Sequence, residues 1–232
     1  RGLGKAIMEN YAEHGFDIIA CVRNISDEFK SYAEGIQKKY GIKIIIYKLD
    51  LSDEDNINVV AKEIFKSKVK INVLVNNAGI VTKSLLAMTS IKQLKDVFQV
   101  NFFGQVQLTQ AVSKIMIHQK SGCIINICSI GGMDAFPAYT SYGCSKAAMT
   151  YFTKTISKEL APYGIRVNGV APGMAATDMQ KQLVGEANDE VLHRTALGRV
   201  AEPKEIADLV YYLSTSQASY ITGQIIRIDG GM

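Results

Sequence analysis

Tryptophan is absent from this 232-residue chain, and proline, histidine and cysteine are scarce, at four, three and four residues. The cysteines, Cys21, Cys123, Cys128 and Cys144, form no CxxC pair, and three of them lie in or beside apolar runs. They read as reduced, mostly buried thiols, not as a disulfide framework. His14, His118 and His193 lack metal-ligand spacing, so no metal is expected. The longest apolar stretches, Ile44-Ile45-Ile46 and Ile71 to Val75, are strand-sized and far too short to span a bilayer. A charged-then-apolar leader, repeats and low-complexity tracts are also missing. These absences point to a soluble cytoplasmic protein with no membrane partner. The net charge of +4 is spread along the chain. It tolerates an anionic ligand and gives little reason to expect nucleic acid.

What the chain does have is a pattern. With 47% hydrophobic and 21% charged residues, it suits one α/β domain over 1–232. Apolar runs predict strands at Phe16–Val22, Ile42–Leu49, Ile71–Val75, Gly122–Cys128, Ile165–Val170 and Gln224–Ile228. Amphipathic stretches between them predict helices near 3–14, 26–40, 53–67, 91–119, 142–161 and 203–214. Strands that read as continuous apolar runs are buried on both faces, as in a parallel sheet. Their alternation with helices predicts a doubly wound parallel sheet. One strand is wanting: the first, which belongs just upstream of Arg1. Ser52-Asp53-Glu54-Asp55 and Pro203 mark helix starts, and Pro162-Tyr163-Gly164 marks a stop. The polar stretch about 175–200 reads as a mobile flap.

The cofactor signals sit at strand ends. Gly2-Leu3-Gly4 resembles the tail of a Gly-rich strand-to-helix turn that lets backbone N–H groups approach a pyrophosphate. Arg23 falls at the end of a strand, where a dinucleotide fold reads the adenosine ribose; a guanidinium there suits a 2′-phosphate, and Arg1 adds a second positive charge. The expected cofactor is therefore NADP(H). Asp50-Leu51 closes the next strand with a carboxylate for the adenine amino group, and Asn76-Asn77-Ala78-Gly79 follows the fourth.

Tyr142 and Lys146 lie four apart at a helix start, hence on one face. A free phenol titrates near about pH 10, and a neighbouring ammonium lowers that toward working pH. The pair thus reads as a general acid with its tuning cation. Ser129, thirteen positions earlier, ends a strand at the same rim, where its hydroxyl can bond a substrate oxygen. Asn101 is a polar residue in an apolar helical face: either a core amide satisfied by backbone, or the holder of a relay water. Pro172-Gly173 closes the sixth strand, and Ala175 and Thr177 follow it, with Thr177 placed to bond a nicotinamide carboxamide.

The order and spacing of GLG at 2–4, DL at 50–51, NNAG at 76–79, Asn101, Ser129, Tyr142-x-x-x-Lys146, PG at 172–173 and Thr177 resemble the short-chain dehydrogenase/reductase family along essentially the whole chain. The resemblance implies a Rossmann-type fold and a catalytic tetrad of Asn101, Ser129, Tyr142 and Lys146. It also implies a cofactor site at Arg1, Gly2, Leu3, Gly4, Arg23, Asp50, Leu51, Asn77, Ala78, Gly79, Tyr142, Lys146, Pro172, Gly173, Ala175 and Thr177. A homotetramer or homodimer built on the helices near 91–119 and 142–161 is implied as well. Tyr220-Ile221-Thr222-Gly223-Gln224 and Asp229-Gly230-Gly231-Met232 resemble the branch of the family that reduces 3-oxoacyl thioesters carried on acyl-carrier protein. The expected substrate is such a thioester or another small ketone. Lys114, His118 and Lys120 form a cation cluster expected near the mouth of the site, either for an acidic carrier or as a solvated helix end. The family's second docking arginine is replaced by Tyr163.

Overall fold

The computed structural model describes residues 1–179 and 193–232. The helices and strands named here belong to those residues. The strands are β1 (Ile18–Val22), β2 (Ile44–Lys48), β3 (Val73–Asn76), β4 (Gly122–Ile127), β5 (Ile165–Pro172) and β6 (Ile225–Ile228). The helices are α1 (Gly2–Glu13), α2 (Asp27–Tyr40), α3 (Glu54–Lys66), α4 (Ile91–Phe98), α5 (Gly104–Gln119), α6 (Thr140–Leu160) and α7 (Pro203–Ser214). Every strand pairing is parallel.

Helix boundaries follow local chemistry. Asp53 caps α3 by accepting from the Asn56 amide, and Ser26 caps α2 by accepting from Phe29. At α7 the Glu205 side chain reaches back to the Glu202 amide at 2.8 Å, one half of a capping box, with Pro203 in the first turn. Gly164, in the left-handed region at φ 73°, ends the turn after α6 and starts β5.

β4 shows why its sequence lacks alternation. Ile124 packs with Ile57, Leu108, Met116 and Ile156 from α3, α5 and α6. Ile125 and Ile127 face the other way, onto Ile7, Ile206, Val210 and Leu213 from α1 and α7. Both sheet faces are covered, so the strand is apolar apart from Asn126, which is buried, accepts from Asn76 and donates to Thr153.

The region expected to form a single helix over 91–119 is broken. Gln99–Phe103 forms a π-helical turn between α4 and α5, with Asn101 at its centre.

The sheet is divided. β1 pairs only with β2, and β3, β4, β5 and β6 form a separate run in that order. A doubly wound sheet has the order 3-2-1-4-5-6. The observed order matches it with one position skipped between β1 and β3. A cavity of about 2400 Å³ runs between these two strands and continues to their carboxyl ends.

Candidate active site

Parallel strands deliver their carboxyl ends to one rim, and the site is assembled there. Ser129 follows β4 in extended backbone (φ −166°), and its hydroxyl accepts from the Gly131 amide at 3.1 Å. The chain then turns back against α6. Gly132 permits that approach, since a Cβ there would stand 2.6 Å from the Lys146 carbonyl carbon. Gly143 does the same from the helix side, with the Gly131 carbonyl 2.7 Å from a would-be Cβ. This close packing holds Ser129 beside the first turns of α6, which carry Tyr142 and Lys146.

Lys146 is 3% exposed and donates to the Ile127 carbonyl at 2.7 Å. Burial disfavours the ammonium and brings its pKa down to about 8. Tyr142 is buried as well. Burial raises its phenol above the ordinary value, and a hydrogen bond with Ser129 offsets part of that rise. The sequence led us to expect an adjacent ammonium to lower this phenol. Here Lys146 is turned to the Ile127 carbonyl and is not among the groups acting on Tyr142, so desolvation prevails.

Asn101 is fully buried. Its Oδ1 accepts from the Ile80 amide at 2.8 Å, while Nδ2 donates to the Ile80 carbonyl at 2.9 Å and to Ser145 Oγ at 3.0 Å. A Cβ on Gly79 would sit 3.4 Å from Asn101 Oδ1 and 3.6 Å from Lys146 Nζ, so both groups converge on that one glycine.

The predicted cofactor residues come from distant segments and meet on the same cavity. Gly2 (φ +55°) packs against Thr177 Cγ2, and a Cβ on Gly4 would be 2.8 Å from Asn77 Nδ2. α1 begins at Gly2, and the backbone N–H groups of its first turn are suited to bind an anion. Arg23 is exposed at the end of β1. Asp50 accepts from the Ser52 hydroxyl at 2.6 Å and its amide at 2.9 Å, and these bonds hold its carboxyl below the usual range. Arg1 forms an exposed contact with Asp178 at 3.4 Å. Every residue of the predicted site except the buried Asn101 lines the cavity.

The expected flap is described only at its ends. The Ala176 amide donates to Ala201 and the Ala201 amide to Met174, both at 2.9 Å, closing the base of the excursion. Gly185 to Asp189 lie outside the described residues.

The cation cluster needs correction. α5 runs antiparallel to β4, so His118 and Lys120 lie at the amino end of that strand, in a shallow hollow with Tyr163 and Gly164. Ser129 is at the opposite end, about 20 Å away at the usual strand rise. Within one chain the cluster does not border the site. Sequence reasoning also passed over Ser145, the side-chain partner of Asn101, and Tyr139, whose ring meets Tyr142 edge-on at 5.8 Å. Tyr139 precedes the Tyr-x-x-x-Lys signal and Ser145 lies within it, but neither has a spacing of its own to announce it.

Comparison with known proteins agrees with this geometry. The family model described as enoyl-(acyl carrier protein) reductase matches residues 1–232. The chain belongs to the short-chain dehydrogenase/reductase family, and as a member it is an NADP(H)-dependent oxidoreductase. It is 38% identical over 232 residues to the 3-oxoacyl-[acyl-carrier-protein] reductase FabG of Aquifex aeolicus, covering 100% of this chain and 93% of that one. Among solved structures, ElxO with NADP bound is similar at a TM-score of 0.89 and 29% identity, covering 99% of this chain and 93% of that one. L-Sorbose reductase from Gluconobacter frateurii, complexed with NADPH and L-sorbose, has a TM-score of 0.91 and 25% identity, covering 100% and 92%. Among the described residues no helix is long and apolar enough to cross a membrane.

Proposed function

We propose that this protein reduces the 3-oxo group of an acyl thioester, carried on acyl-carrier protein, to the 3-hydroxyacyl product in fatty acid synthesis. The observation that carries this reading is the buried Tyr142 and Lys146 grouped with Ser129 at the carboxyl end of β4. The FabG likeness over the whole chain supplies the substrate class. Bound NADPH supplies a hydride to the substrate carbonyl carbon.

The chain's own residues do the rest. Gly2, Gly4 and the first turn of α1 would receive the pyrophosphate, and Arg23 would pair with the 2′-phosphate. Ser129 donates to the substrate oxygen as negative charge develops there. Tyr142 gives that oxygen its proton. A phenol kept protonated by burial is well suited to donate. Asn101 fixes the Gly79-Ile80 backbone against Lys146 and carries the proton relay. Residues 1–232 act as one domain. Exposed Phe103 and Tyr151, on the π-helical turn and on α6, support a homodimer or homotetramer through these elements. The protein works in the cytoplasm.

The likeness to L-sorbose reductase favours a second reading, reduction of another ketone or sugar. NADPH oxidation measured with acetoacetyl-CoA and with a panel of unrelated ketones separates the two. Turnover of the panel, with none of the thioester, would remove the first reading.

A further inference from the structure

Arg227 lies on β6, paired in register with Ala171, immediately before the Pro172-Gly173 turn. Its guanidinium serves three segments. Nη1 meets Asp134 Oδ2 at 2.8 Å, Nε donates to Asp229 Oδ2 at 2.7 Å, and Nη2 donates to the Met232 carbonyl at 2.9 Å. Asp134 belongs to the turn that starts at Ser129: its amide donates to the Ile130 carbonyl at 2.7 Å, and the Gly132 amide to the Ser129 carbonyl at 3.0 Å. Asp229 belongs to the other wall. A Cβ on Gly173 would stand 2.7 Å from the Asp229 Cα, and the Gly173 amide donates to Ile228 at 3.0 Å.

A single rigid cation therefore ties the Ser129 turn to the Pro172-Gly173 turn, across the end of β5. An isolated surface ion pair contributes little. This one differs because the guanidinium fork fixes direction as well as distance, and the Arg227 side chain is only 32% exposed. We propose that Arg227 and Asp134 are a positioning pair, setting the separation of Ser129 from the Pro172-Gly173 turn and so the alignment of the substrate carbonyl in the cleft. The inference rests on the assignment of Ser129 and Tyr142 made above.

The test is a double-mutant cycle of Asp134→Asn and Arg227→Gln in the full chain, with Tyr142→Phe alongside. Each single variant is expected to lower kcat about tenfold, because small misplacements of reacting groups are costly. Affinity for NADPH, read by fluorescence titration, should fall less than kcat does, because the pair reaches the cofactor set only through the Pro172-Gly173 turn. The double variant should lose no more than the worse single, since the two act as one unit. Losses that multiply in the double, or singles with unchanged kcat, overturn the pair. Should Arg227→Gln fail to fold, Asp134→Asn and Asp134→Ala carry the test, and an unchanged kcat in both overturns it. If Tyr142→Phe abolishes turnover while the Asp134 variants are silent, only the pair fails. If Tyr142→Phe is itself silent, the underlying assignment fails.

Discussion

The Lys146 ammonium donates to the main-chain carbonyl of Ile127 at 2.7 Å, deep enough in the protein to be 3% exposed. Burial brings its pKa down to about 8, against 10.5 for an ordinary lysine. A buried cation without a carboxylate partner costs stability, and active sites commonly carry such costs.

Between those two values the folded state binds fewer protons than the unfolded chain, so this group makes stability rise with pH. The wild type should therefore gain on Lys146→Met by on the order of 2 kcal/mol between about pH 7.5 and 10.5. Urea denaturation of both proteins at the two pH values measures it. A difference that stays constant would mean the ammonium is not desolvated as described.

Tyr142→Phe should lower kcat by about a thousandfold while leaving NADPH affinity nearly unchanged. The raised phenol also has a consequence for the wild type. The proton donor stays charged with its proton throughout the neutral range, so the reductive rate should be flat there and fall only in alkali. A rate that declined between about pH 6 and 7 would contradict this.

Two glycines should respond oppositely to the same methyl group. At Gly132 it would press on the Lys146 backbone, so Gly132→Ala should cost about 3 kcal/mol and remove most activity. At Gly35, inside α2, nothing lies within 4 Å, so Gly35→Ala should stabilise by about 0.5–1 kcal/mol with activity intact. Thermal unfolding and a turnover assay on both variants check the contrast.

Arg23→Ser should cut the preference for NADPH over NADH by about ten- to a hundredfold, the loss expected when a charge-assisted bond is removed. Steady-state kinetics with each cofactor measure it. An unchanged ratio would shift the 2′-phosphate contact elsewhere, with Arg1 the next candidate.

The strands were legible because β4 and β5 are mostly apolar and lack alternation, as a sheet covered on both faces requires. Tyr142, Lys146 and Ser129 were legible because helical spacing and a strand end place them on one rim. The parallel pairing of the strands also followed from the pattern. The state of the phenol did not. Spacing puts Lys146 on the face of Tyr142, but it says nothing of the Ile127 carbonyl that turns the ammonium aside. The cation cluster was misplaced because sequence order gives no direction, whereas α5 runs back along β4 and carries its last turn to the far rim. Arg227 and Asp134 are ninety-three positions apart (227 − 134 = 93), and no local pattern joins them.

The wide turn at Gln99–Phe103 governs how two helices look at their surroundings. In a regular helix each residue advances about 100° around the axis, so one added residue rotates everything beyond it by that amount. Deleting a single residue there would restore ordinary pitch and swing the whole of α5 relative to α4. Thr109, which accepts from Asn76 on β3 at 2.8 Å, would then leave the sheet. The irregular turn works as a phase adjuster, letting one continuous rod grip the sheet with its second half while its first half faces elsewhere.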